Sequence, residues 1–207
     1  MRLPIDIAID IEKVKGFLDP EEGQALYQAC AAATTKAPAL EVGSYCGKST
    51  IYLGEACRQN GSTLFAVDHH RGSEEHQPGE EYHDPSLYDP GADLMDSFRE
   101  FRKNISAAKL EDVVVPVVAP SLVAARHWRT PLGLVFIDGG HSIEAAMNDY
   151  RSWADHLVSG GTLAIHDIFD DPEEGGQAPH EILKLARASK HYGDERRVKT
   201  LALLTRL

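Results

Sequence analysis

Apolar positions along this chain follow two rhythms. Six short runs are dense in aliphatic and β-branched residues: Ala39–Gly43, Thr63–Asp68, Val113–Val118, Leu132–Asp138, Gly161–His166 and Val198–Leu204. Their length and composition predict strands. Val113–Val118 reads as a buried strand bent at Pro116. Between the runs, apolar residues return every three or four positions. The clearest helix opens at Asp19-Pro20-Glu21-Glu22, with Asp19 as N-cap, Pro20 at the first helical position and Glu22 three residues beyond the cap. It runs to about Ala33 and keeps Ala25, Leu26, Ala29, Cys30 and Ala33 on one face. Further helices are predicted over Lys48 to about Asn60, Leu94 to about Ala108, Ser121–His127, His141–Leu157 and Pro179–Ser189. Strands alternating with helices imply an α/β fold, a doubly wound and mostly parallel sheet covered on both faces. Ligands in such folds sit at the carboxyl ends of the strands.

Residues 69–96 interrupt the alternation. They hold His69, His70, His76 and His83, eight acids, and Pro78, Pro85 and Pro90. The stretch is too long for an ordinary connection, so it is either a functional lid or disordered. Its histidines lack the compact spacing of a zinc site. With 207 residues, 43% hydrophobic and 26% charged, residues 1–207 read as one globular domain with an N-terminal helical segment over 1–35. The net charge of −11 argues against a nucleic-acid backbone as partner. Cys30, Cys46 and Cys57 show no metal spacing and leave an odd thiol, which reads as reduced and cytoplasmic. Pro4 and Asp6 break any signal sequence, and no apolar run nears the ~20 residues of a membrane span.

The chemistry gathers at the predicted strand ends. Leu40-Glu41-Val42-Gly43-Ser44-Tyr45-Cys46-Gly47 is an apolar strand entering a glycine turn, and the next strand ends in Asp68. Glycines let a backbone approach a ligand closely, and a carboxylate at the second strand end chelates ribose hydroxyls. Gly47-Lys48-Ser49 resembles the end of a phosphate-binding loop, but the first glycine would have to be residue 42, which is Val42. The dinucleotide fingerprint fails as well, because Gly43 and Gly47 stand four apart with no middle pair. Glu41 at the head of the turn would repel a pyrophosphate and attract a cationic ligand, which favours S-adenosylmethionine over NAD or ATP. Asp138 and Asp167 close two strands predicted to be adjacent, bringing two hard-oxygen donors to one rim, a set suited to Mg²⁺. His141, three residues beyond Asp138, is placed to take a substrate proton as general base. The alternative is that Asp138 and His141 cap the following helix and Asp167 caps a turn.

These residues resemble the class I S-adenosylmethionine-dependent methyltransferases, whose fold is the Rossmann-like sheet expected above. The resemblance covers roughly residues 36–170. It implies cofactor contacts at Glu41, Gly43, Ser44, Tyr45, Gly47 and Ser49 in the methionine-binding loop, at Asp68 and His69 on the ribose side, at Ser121 on the adenine side, and at Asp138. Phe136-Ile137-Asp138-Gly139-Gly140-His141-Ser142 with Ile165-His166-Asp167 is similar to the branch of macrolide-sugar and aminocoumarin-sugar O-methyltransferases. That branch implies Mg²⁺ on Asp138 and Asp167, with His141 and Asp138 as catalytic residues. Branch members often carry two consecutive acids after this strand. Here the first position is His166, which would ligate metal, contact sugar or pack. The compact length and the lid look like the actinobacterial enzymes that methylate mannosides during methylmannose polysaccharide synthesis. The expectation is methyl transfer to a small carbohydrate acceptor by a homodimer. A catechol O-methyltransferase and a non-catalytic S-adenosylmethionine-binding protein are the alternatives. The N-terminal helix serves either the dimer interface or closure over the ligand.

Overall fold

The computed structural model describes residues 5, 7–73 and 84–207. His76 and His83, and with them the middle of the predicted lid, lie outside the described residues. The central sheet has seven strands: β1 (Ala39–Val42), β2 (Leu64–Asp68), β5 (Val114–Val118), β6 (Leu132–Ile137), β7 (Leu157–Ile165), β8 (Tyr192–Val198) and β9 (Leu201–Arg206), in the order β5-β2-β1-β6-β7-β9-β8. The first five are parallel, and β9 pairs antiparallel with both β7 and β8. A small hairpin, β3 (Tyr88–Asp89) with β4 (Leu94–Met95), lies within the insert.

The sheet's period of two divides the core. From β1 and β6, Ala39, Leu134 and Phe136 face one layer, where α1 (Pro20–Ala33), α2 (Lys48–Gln59) and α3 (Phe98–Ala107) pack. Leu40, Val42, Val135 and Ile137 face the other, against α5 (Ile143–Trp153) and α6 (Ala178–Ser189), with α4 (Ser121–Ala125) on the same side. Near-continuous apolar strands are what a parallel sheet buried on both faces demands. This is the class I methyltransferase, Rossmann-like architecture. Among the described residues, no helix is long and apolar enough to cross a membrane.

Several elements differ from the sequence reading. The strand read as buried, β5, is an edge strand, with Val115 43% and Val118 50% exposed. Pro116 is tolerated there because an edge leaves one row of backbone groups unpaired in any case. The single closing strand is a hairpin of two. The polar run Asp194-Glu195-Arg196-Arg197 concealed β8, which is the opposite edge and largely solvated. The helix predicted from His141 to Leu157 begins at Ile143, because Ser142 supplies the cap by accepting from Ala145 N at 3.2 Å. It ends at Trp153 in a short 3₁₀ turn, and β7 starts four residues earlier than predicted, at Leu157. The helix predicted from Leu94 starts at Phe98, the preceding residues being spent on β4.

Candidate active site

Gly43 has φ +86°, in the left-handed region. A Cβ there would lie 2.0 Å from the Asp138 carbonyl oxygen and 2.9 Å from Gly139 Cα. The ends of β1 and β6 therefore approach closely only because residue 43 has no side chain. Asp68 fixes the turn from the neighbouring strand. Its Oδ2 accepts from Ser44 N at 3.0 Å and Tyr45 N at 2.8 Å, and its Oδ1 accepts from His70 N at 2.7 Å. Gly47, φ +93°, is the N-cap of α2 and donates to Ser44 O at 2.7 Å.

A cavity of about 580 Å³ opens over these strand ends. Gly43, Ser44, Tyr45, Ser49, Asp68, His69, Ser121, Asp138, His141, His166 and Asp167 all line it. Glu41 and Gly47, expected among the cofactor contacts, are not among the lining residues. Glu41 lies fully buried below the turn, where its two oxygens accept from Ser49 Oγ and Thr50 Oγ1, each at 2.5 Å. Burial drives its pKa up to about 8 against the pull of those hydroxyls, so near neutral pH the group is a neutral brace between β1 and α2. Gly47 shapes the helix start and faces Phe101.

At the far rim three side chains converge. One ligand atom each from Asp138, His141 and Asp167 lies within 4.8 Å of the others. His141 Nε2 stands 3.1 Å from Asp167 Oδ2. The helix-cap alternative for His141 gives way to Ser142, and Asp167, at φ +55°, has its carboxylate against His141. Burial raises the Asp167 pKa, but the His141 hydrogen bond and the His166 charge outweigh it and hold the group low. Two carboxylates and an imidazole fit a divalent cation. His166 is not arranged as a donor to one. Its Nδ1 faces Asp138 Oδ1 at 3.0 Å and its Nε2 faces Glu22 Oε2 at 3.0 Å. Carboxylates only accept, so both ring nitrogens carry hydrogens. Burial opposes that charge, but Asp138, Glu22 and Asp167 outweigh it and hold the imidazole pKa well above its usual value. Reciprocally, burial would raise Glu22, yet His166 and Thr200 bring it down to about 2.

Sequence reasoning missed three contributors. Glu22 carries an unmistakable capping signal, and it does complete the capping box, but one carboxylate serves both ends. Lys15, Gly16, Phe17 and Leu18 line the cavity ahead of α1. Phe17 stacks on Tyr45 with centroids 6.1 Å apart, and Lys15 bonds Asp84 and Ser86 of the insert. The N-terminal segment thus closes one side of the cavity. Asp149 lines the opposite side on α5, only 6% exposed, with burial raising its pKa to about 6. Ser121, also on that side, accepts from Trp153 Nε1 at 2.8 Å.

Residues 40–168, more than half of the chain, match a family model described as a methyltransferase domain. Solved structures with similar folds include the O-methyltransferase NovP (TM-score 0.70, 15% identity, 90% of this chain and 79% of that one). Cofactor-bound Rv0187 from MTB is similar too (0.65, 18%, 94% and 84%). So is an O-methyltransferase from Bacillus cereus in complex with SAH (0.61, 16%, 94% and 86%).

Proposed function

We propose, on the premise that this chain belongs to the methyltransferase-domain family, that it transfers the methyl group of S-adenosylmethionine to a carbohydrate hydroxyl with the help of a divalent cation. One observation carries the reading: the glycine turn with its ribose-type acid, and the Asp138–His141–Asp167 cluster, open into one cavity. The Gly43–Tyr45 turn offers close backbone approach, and Asp68 has acceptor capacity for a ribose hydroxyl beyond its three backbone bonds. Asp138 and Asp167, with the His141 imidazole beside them, are the carboxylates that would hold a cation such as Mg²⁺. Bound there, it would lower the pKa of an acceptor hydroxyl and orient it. His141, aligned by Asp167, receives the hydroxyl proton on its imidazole as the oxygen attacks the methyl carbon. Positioning the hydroxyl in line with the methyl–sulfur bond supplies most of the rate.

The carbohydrate reading is supported by the lining. Among the described residues, Phe17 and Tyr45 supply its phenyl and phenol rings, while Lys15, Ser73, Ser97, Ser142, Glu144 and Asn148 present hydrogen-bonding groups. The test is methyl transfer from labelled S-adenosylmethionine to short mannosides, glucosides and catechols, with Mg²⁺ and with EDTA. Metal-dependent label in a mannoside or glucoside is the expected result. Label in a catechol alone overturns the acceptor class, and label that survives EDTA overturns the cation.

A further inference from the structure

Asp138 stands just past the carboxyl end of β6, at the rim of the cavity. Its side chain is 21% exposed at the end of β6, and its Oδ1 is held by His166 Nδ1 at 3.0 Å. An imidazole can hold a carboxylate in one orientation only if its ring is itself prevented from turning. That restraint comes from outside the strand-end loops. Glu22 Oε2, on α1, binds the other ring nitrogen at 3.0 Å, and Glu22 and His166 side chains are each 3% exposed. Glu22 is pinned in turn, because its Oε1 accepts from Thr200 N and Thr200 Oγ1, both at 2.7 Å. The chain Thr200–Glu22–His166–Asp138 runs from the β8–β9 turn through the first turn of α1 to the cavity.

We propose that Glu22, on a helix outside the family-matched residues, is a positioning residue of the active site: by fixing the His166 ring it fixes the Asp138 carboxylate that faces the acceptor. This rests on the reading that Asp138 works at the transfer site. Docking of α1 then completes the catalytic centre as well as the core. A partner that orients a functional ligand from behind is typically worth ten- to a hundredfold in activity or affinity. Without Glu22, the buried Nε2 loses its acceptor and the ring is free to turn away from Asp138.

The test compares wild type, Glu22→Gln, Glu22→Ala and Leu183→Ala, each over residues 1–207. Leu183→Ala opens a void in the apolar layer under α6, away from the cavity lining and from Glu22 and His166, and so controls for stability alone. Imidazole ¹⁵N NMR follows the His166 Nδ1 resonance facing Asp138, calorimetry follows SAH binding, and turnover is measured on whichever acceptor the wild type labels. Glu22→Ala should shift the Nδ1 resonance and lower kcat about tenfold or more. KM for S-adenosylmethionine and SAH affinity should change less than about twofold. Glu22→Gln, which keeps an oxygen acceptor, should recover part of kcat, and Leu183→Ala should lower the melting temperature with kcat retained. An Nδ1 resonance indifferent to both Glu22 substitutions, or a kcat loss no greater than that of Leu183→Ala, overturns the proposal. Should the alanine variant fail to fold, the glutamine variant decides on the same resonance and kcat. Should the wild type label no acceptor, the functional reading fails while the resonance still decides the Glu22–His166–Asp138 coupling.

Discussion

Replacing Gly43 with alanine puts one methyl group where β1 and β6 nearly touch. Two costs follow. A left-handed conformation at φ +86° costs an L-residue about 1–2 kcal/mol. The added Cβ would also stand 2.0 Å from Asp138 O and 2.6 Å from Asp138 C, backbone atoms that cannot swing aside as a side-chain tip can. Overpacking of this kind typically costs about 1–3 kcal/mol. The sum, about 2–5 kcal/mol, corresponds to roughly 4–20 °C of melting temperature for a chain of this size. Gly61 provides the control, since it has φ +60° with nothing within 4 Å of its would-be Cβ. Gly61→Ala carries the backbone cost alone. Differential scanning calorimetry of both variants separates conformation from collision, and SAH titration reads the functional consequence. Relief of the clash parts Gly43 from Asp138, so Gly43→Ala should also weaken SAH at least about tenfold, while Gly61→Ala binds as wild type. Equal melting temperatures for the two variants, with SAH affinity intact, would refute the claim that this close approach builds the site.

Asp68→Ala removes the proposed ribose acceptor and strands three backbone N–H groups, so SAH affinity by calorimetry should fall at least about tenfold; unchanged binding counts against its role. His141→Ala should cut turnover by about 10²–10⁴ while SAH binding holds; full activity removes His141 from the mechanism. Glu41 is raised from 4.5 to about 8 in the fold, so its carboxyl is neutral when folded and ionised when unfolded across that interval. Stability is therefore lost as pH rises from about 4.5 to 8, on the order of 4–5 kcal/mol in all. Glu41→Gln, neutral throughout, should lack this component, so urea midpoints of variant and wild type diverge toward pH 9; parallel profiles would show that the carboxyl ionises freely within the fold.

The legible parts of this chain are those where one physical signal dominates. Leu134-Val135-Phe136-Ile137 can only be a strand buried on both faces, so Asp138 had to lie at its carboxyl end. Asp19-Pro20-Glu21-Glu22 fixed the start of α1 to the residue. Where two demands fall on one residue, the stronger signal hid the weaker. Glu22 reads as a capping acid, and nothing local reveals that a histidine 144 positions later shares its oxygen. The burial of Glu41 below the turn was hidden for a related reason. Strand alternation says which face a side chain takes but not whether hydroxyls from the next helix will claim it, as Ser49 and Thr50 do. Edge strands were read least well, because β5 keeps an apolar sequence without full burial and β8 keeps a charged one within the sheet. Sheet order, which decides both, is set by tertiary packing.

The most direct measurement is a crystal structure of the full chain grown with SAH and Mn²⁺, with anomalous diffraction collected for the metal. The account predicts SAH across the Gly43 turn with its ribose at Asp68, and one anomalous peak held by Asp138 and Asp167. It also predicts that His166 stays bonded to Glu22 rather than to the ion. SAH seated elsewhere, or a bound SAH with the only anomalous peak away from Asp138 and Asp167, would contradict it.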